Sequence, residues 1–262
     1  MIYTVILLGL FVILLSSIPK SIFKYGLELS WITIFIFLAI RYDFGNDYLD
    51  YKYAFDEINQ YHYFSIDDEY HYEPGWQLLC RLFKPLGFYW MIAVITAFEC
   101  FVLYRFIKDN VPERYYWLSN FIYIFSPSLL LIGSSMMRQM LSIVIFVWAI
   151  RYIQQRRIIP YILCIFIASQ FHSSAVILYP VYLLTYITNN RLNKNQFIYI
   201  LFFYTVLHIV SDRLGGTLGH VASFIGEEDA YELYIENAVF AESNTGLGFI
   251  LQYIIFICII YN

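Results

Sequence analysis

The residues of this chain that could do chemistry are few, and they recur at one kind of place: the edge of an apolar run. Arg138 and Gln139 open the apolar stretch 138–151. Arg41 and Asp43 close another, and Asp47 follows four residues after Asp43. Glu73 precedes Pro74-Gly75, and His172 stands between two further apolar runs. Arg138 is the most telling. It falls at the N-terminal end of an expected helix, where a cation opposes the macrodipole at a cost of about 0.3–1 kcal/mol. An anion held between the first helix amides and the guanidinium reverses that sign. The plainer alternative is a guanidinium that snorkels to lipid phosphates. Asp43, Asp47 and Glu73 are candidate general bases, and His172 is a usable proton carrier. Each also has an ordinary role. Asn46 or Asp47 can cap a helix. Arg41 can anchor the end of its span or pair with Asp43. Glu73 suits the positive end of a helix that starts at Pro74. Ser134-Ser135 and Ser173-Ser174 can cap the helices that follow them, and His172 can be a hydrogen-bonded structural residue.

The elements that must carry these groups are apolar. The chain has 262 residues, 60% hydrophobic, 21% aromatic and only 14% charged. Soluble domains run near 45–50% apolar and about 25% charged, so the composition points to lipid as the surrounding solvent. Nine candidate spans follow, near 2–18, 27–40, 86–104, 115–132, 138–151, 158–171, 173–188, 197–210 and 247–261. The first has no basic residue before its apolar core and no small-residue cleavage site, so it reads as a span and not a signal peptide. The expected fold is all-α: a polytopic membrane helical bundle of about nine spans, with 1–262 as one integral membrane domain.

Charge gives the bundle a direction. The connections after spans 1, 3, 5 and 7 carry Lys20 and Lys24; Arg105, Lys108 and Arg114; Arg151, Arg156 and Arg157; and Arg191 and Lys194. Short basic loops face the cytoplasm, which sets the N-terminus outside and the C-terminus inside. Most of the acidic residues then fall on the outer face, in two long loops, 41–85 and 211–246. In the first loop Tyr48, Tyr51, Phe55 and Ile58 share one helical face, and Trp76, Leu79, Cys80 and Phe83 repeat the pattern. Two short amphipathic helices on the outer membrane surface are expected there. With this topology Arg41, Asp43, Asp47, Glu73, Arg138, Gln139 and His172 all reach one depth, the outer mouth of the bundle. Charges near hydrocarbon cost about 2.5–3.5 kcal/mol and persist with a partner, water or a function.

Several classes are excluded or disfavoured. A net charge of −4 and no basic run leave no footprint for nucleic acid. Cys80, Cys100, Cys164 and Cys258 show no metal or disulfide spacing and read as packing residues. No metal or nucleotide motif occurs, and no cofactor is expected. The many rings of the first loop are most simply an aromatic belt, although rings can also stack on sugars.

Four blocks carry a resemblance: RYDFGNDYLDYKYAF (41–55), EPGWQLL (73–79), MRQMLSIVIFVWAI (137–150) and FHSSAVILYPVYLL (171–184). Together they resemble the EpsG-like family of bacterial exopolysaccharide polymerases, which are Wzy-type membrane proteins. The family pattern is R-x-x-x-G-x-D-Y, E-x-G-[FWY], R-Q and F-H-x-[ST], and all four occur here in order. The chain ends just after an apolar run at Tyr261-Asn262, as a truncated member of a longer family would.

The resemblance implies a multi-pass protein of the bacterial cytoplasmic (inner) membrane. It would join undecaprenyl-pyrophosphate-linked oligosaccharide repeat units on the outer face without a nucleotide sugar. Its partners would be lipid-linked oligosaccharides, membrane lipids and other polysaccharide-assembly proteins. In that setting Arg41, Arg138 and Gln139 would bind the departing pyrophosphate, and Asp43, Asp47, Glu73 and His172 would serve the attacking hydroxyl. The alternatives are a polyprenyl-dependent ligase, a lipid-linked-glycan flippase, an O-acyltransferase resting on His172, and a structural subunit. A flippase would need polar residues through the midplane; mid-span charge is nearly absent here, and the main exception, Glu99, lies toward the inner half.

Overall fold

A computed structural model describes residues 2–45, 47–58 and 72–183. All of these belong to one compact unit, Met1–Ile187. The two last expected spans, the second long loop and Cys258 lie outside the described residues.

The described residues are helical, without strands. The helices are α1 (Ile2–Ser17), α2 (Gly26–Ala39), α3 (Tyr48–Glu57), α4 (Pro74–Phe83), α5 (Phe88–Asn110), α6 (Tyr116–Phe125), α7 (Ile132–Ser135), α8 (Met137–Gln154) and α9 (Ile158–Ser169). A 3-10 helix, Ser173–Leu183, follows α9, and a short 3-10 turn, Glu113–Tyr115, precedes α6. Each of the first seven expected spans is met by a helical element. By length and composition, however, only α5 among the described helices is long and apolar enough to cross a membrane unaided. Its 23 residues rise about 34 Å, against a hydrocarbon core of about 30 Å. The Glu113–Phe125 and Leu129–Ser135 pair passes the same test only as one span bent by 62°. The bend falls where Pro127 has no N–H to donate to a helix ladder. Apolar helices α1, α2 and α9 are shorter.

Helices α5 and α8 form the centre. On one side Val5, Leu8 and Val12 of α1, Leu27, Trp31 and Ile34 of α2, and Tyr123 and Ile124 of α6 pack against Cys100 and Val102 of α5 and Val144 of α8. On the other side the α3 and α4 stripes pack against Met91, Ile92 and Ile95 of α5 and Met137 and Leu141 of α8. The two short helices exist where the pattern predicts them. Their stripes, though, are covered by protein: Tyr48, Tyr51, Phe55, Trp76 and Cys80 are all buried. Burying each such large side chain contributes about 1.5–3 kcal/mol, so α3 and α4 are held to the bundle itself. Lys84, just past α4, donates to the Phe55 and Asp56 carbonyls at 2.6 Å each and satisfies the open end of α3.

The outward faces are apolar in helical register. Leu7, Leu10 and Leu14 on α1, Val94, Phe98 and Phe101 on α5, and Ile159, Leu163 and Phe166 on α9 are exposed, with Leu14 at 67%. Stripes of this size need a lipid or protein cover. At one end the connections after α1, α5 and α8 come together. Lys20 pairs with Glu113 at 3.1 Å and Gln154 bonds Asn110 at 3.4 Å there. Asp43, Asp47 and Glu73 stand at the other.

Two glycines of the quoted motifs are required by contact. Gly75 donates its N–H to the Gln170 carbonyl at 2.8 Å, and a Cβ there would lie 2.6 Å from that oxygen. Gly45 has φ +83°, and its missing Cβ leaves room for the Ser135 side chain. The Gly75→Ala change should cost about 1–3 kcal/mol through overpacking against backbone. It would be read as a lowered thermal midpoint of the detergent-solubilised protein. A variant as stable as the parent would mean that α4 does not abut Gln170.

Candidate functional site

The groups that could do chemistry are carried by three helix ends. Glu73 holds the N-cap position of α4 with Pro74 behind it. Arg138 is the second residue of α8, and His172 lies in the turn between α9 and the 3-10 helix. The close approach at Gly75 and Gln170 presses the start of α4 against that turn. One carboxylate then reaches both neighbours.

Glu73 makes no cap bond to its own helix. Its Oε2 accepts from Arg138 Nη1. Its Oε1 accepts the Ser173 N–H at 2.9 Å and stands 3.4 Å from His172 Nδ1. The Glu73 and Arg138 side chains are half-buried, 16% and 20% exposed, so the pair is partly shielded but open at one side. Charge-assisted bonds of this kind are roughly twice as strong as neutral ones.

Arg138 also lies over two rings, Tyr72 at 4.5 Å and Tyr51 at 5.7 Å from their centroids. Burial pushes both phenols above the usual tyrosine value, while Arg138 opposes that shift. The rings therefore face the guanidinium as neutral aromatics, an arrangement worth about 0.5–2 kcal/mol per contact.

Asp47 occupies the N-cap position of α3, yet its carboxylate makes no cap bond. Burial pushes its carboxyl above the usual aspartate value. Asp50 adds to that and Arg138 works against it. Asp43 is exposed and has φ +45°, a left-handed conformation that costs a non-glycine residue about 1–3 kcal/mol. Gly45 against Ser135 ties this loop to the segment that leads into α8. Gln139 is half-buried beside Arg138.

Arg41 is placed differently. Its side chain turns into the bundle, where Nη1 donates to the Leu38 carbonyl at 3.0 Å and to Thr96 Oγ1 at 3.1 Å. It pairs neither with Asp43 nor with Arg138 among the described contacts. Ser134 and Ser135 do not cap α8: they belong to α7, the N-cap of α8 is Met136, and Ser134 Oγ donates back to the Leu130 carbonyl. Ser173 contributes its backbone N–H to Glu73 and opens a 3-10 helix.

The site thus joins Glu73, Arg138 and His172, with Asp47 within the field of Arg138. Sequence reasoning passed over Tyr51, Tyr72 and the Ser173 amide. The tyrosines were hidden in an aromatic-rich loop, and a backbone donor has no residue signature. As an arrangement, the site offers a guanidinium backed by rings for an anion, and a carboxylate beside an imidazole for a proton.

No curated relative and no solved structure matches the chain. The outward apolar stripes support a membrane location. The model of the EpsG family matches residues 24–262, and the chain belongs to that family.

Proposed function

We propose that the chain is a polysaccharide polymerase that joins lipid-linked repeat units at the Glu73–Arg138–His172 site. The observation that carries the reading is the Glu73 carboxylate, shared between Arg138 and the His172-Ser173 turn. Family membership supports a polysaccharide polymerase-type membrane protein. A glycan leaving a polyprenyl pyrophosphate needs a cation for the leaving group and a base for the attacking hydroxyl. Both stand together here.

The proposed step is a single displacement or its dissociative equivalent. A sugar hydroxyl on one lipid-linked unit forms a bond to the anomeric carbon of the other chain. The bond from that carbon to the pyrophosphate oxygen breaks, and its electron pair leaves with the diphosphate. Arg138, with Gln139 beside it, stabilises the charge that develops there. The hydroxyl proton passes to Glu73, with His172 adjacent as a relay. In the resting geometry Glu73 occupies Arg138. A diphosphate that docks on the guanidinium displaces the carboxylate and leaves it free to accept the proton. Asp47 and Asp43 would orient the acceptor sugar, and the spans would bring both lipids to one depth.

Replacing Arg138 with Gln should lower the polymerisation rate by about 10²–10³-fold, and with Lys by less, since charge is kept and the planar fork is lost. Cells should accumulate single repeat units on lipid at normal membrane levels of the protein. Units held on the cytoplasmic leaflet would instead identify a flippase.

Glu73→Gln should slow the reaction by about 10²–10⁴-fold. Unchanged glycan chain length in both the Arg138 and Glu73 variants would remove the site from the mechanism.

The proposed orientation has its own check. In a cysteine-free background, a membrane-impermeant maleimide added to intact cells should label a cysteine at Tyr53 and spare one at Arg156. The reverse pattern would overturn the outer location of the site.

A further inference from the structure

Arg41 is the residue whose environment departs furthest from its expected role. It is 8% exposed, and both hydrogen bonds of Nη1 point into the bundle, to the Leu38 carbonyl and Thr96 Oγ1. Thr96 and Glu99 are three residues apart on α5 and share a face. Glu99 is 4% exposed, and the guanidinium of Arg41 is the cation in whose field it stands among the described residues. Neither Glu99 Oε1 nor Arg41 Nε has a hydrogen-bond partner within the described protein. Each is therefore a buried charge that stands in the other's field, without a direct ion-pair contact among the described residues. An arginine that left this place for a substrate diphosphate would strand a carboxylate in the interior.

The backbone of Arg41 is gripped as well. Its carbonyl accepts the Tyr48 hydroxyl at 3.3 Å. Tyr48 is buried, with its ring edge-on to Phe88 of α5 at 5.6 Å and to Tyr42 at 5.9 Å. The two ends of the R-x-x-x-G-x-D-Y block thus clasp each other, and both clasp α5. The segment between them carries Asp43, Gly45 and Asp47, and Gly45 touches the Ser135 that leads into Arg138.

We propose that Arg41 is a positioning residue: bonded to Thr96 and balanced by the Glu99 charge inside the bundle, it fastens the 41–48 loop to α5 and so holds Asp47 within the field of Arg138. The part of this that concerns catalysis rests on the polymerase reading; the pairing and the fastening do not. Glu99 and Thr96 become partners of the site from behind it, although neither faces a substrate.

The test uses the full-length protein carrying Arg41→Gln, Glu99→Gln and both together. Removing one partner of a buried pair leaves an uncompensated charge, whereas replacing both by neutral groups relieves it. Each single variant should lower the thermal midpoint in detergent and speed amide exchange across 41–48 relative to the rest of α2 and α5. The double variant should regain much of both, and with them the glycan chain length. Additive losses in the double variant would overturn the pairing. Exchange at 41–48 that follows the global midpoint alone would overturn the fastening. A double variant that regains stability and loop protection but makes no polymer, while the parent does, would place Arg41 at the reacting groups and overturn the positioning role. A parent chain without polymerising activity would count against the polymerase reading alone, because the stability and exchange measurements need no substrate.

Discussion

The rest of the site depends on one constraint: an ionised group taken out of water needs an opposite charge within reach. Carboxylates and guanidinium groups at or below the edge of a lipid layer lose several kcal/mol of solvation each. The described part of this chain meets that demand twice. Glu73 and Arg138 meet at the mouth, partly exposed, where a third partner can enter and exchange. Arg41 and Glu99 are both buried in the interior, each in the field of the other, where nothing readily replaces either. The depth of each pair sets its use. A shallow pair can be opened by an incoming anion, and a deep one serves as a fastening.

The carboxylate of Glu73 also explains why three remote segments must converge. It collects a side chain from the start of α8, a backbone amide from the start of the 3-10 helix and an imidazole from the turn after α9. None of these elements could approach closely with ordinary side chains in the way. Gly75 against the Gln170 carbonyl and Gly45 against Ser135 remove the two obstructing Cβ positions. The motif glycines are therefore contact residues first, and at Gly45 the left-handed backbone adds a second reason.

Much of this was legible in the sequence, for identifiable reasons. Hydrophobic length located a helix at every expected span up to residue 183, and period-3.6 stripes located α3 and α4. Alternating loop charge separated an acidic end from a basic one and so put Glu73, Arg138 and His172 at a common level. What remained hidden depends on rotation and direction. Arg41 and Asp43 lie two residues apart, yet one turns inward and the other outward, and only the packing of α2 on α5 decides which. The roles of Thr96 and Glu99 require the azimuth of α5. The capping serines misled because Ser134 and Ser135 belong to a helical turn of their own before the chain redirects at Met136. Short apolar helices and a bent pair satisfy a sequence window without each being long enough to cross alone.

Lys84 closes α3 from the far end of α4, with its ammonium on two carbonyls and over the Phe55 ring at 5.3 Å. That clamp makes the two short helices a self-supporting bracket whose geometry is fixed by its own ends. The spacing between Asp47 at the head of α3 and Glu73 at the head of α4 is thereby set within the bracket itself.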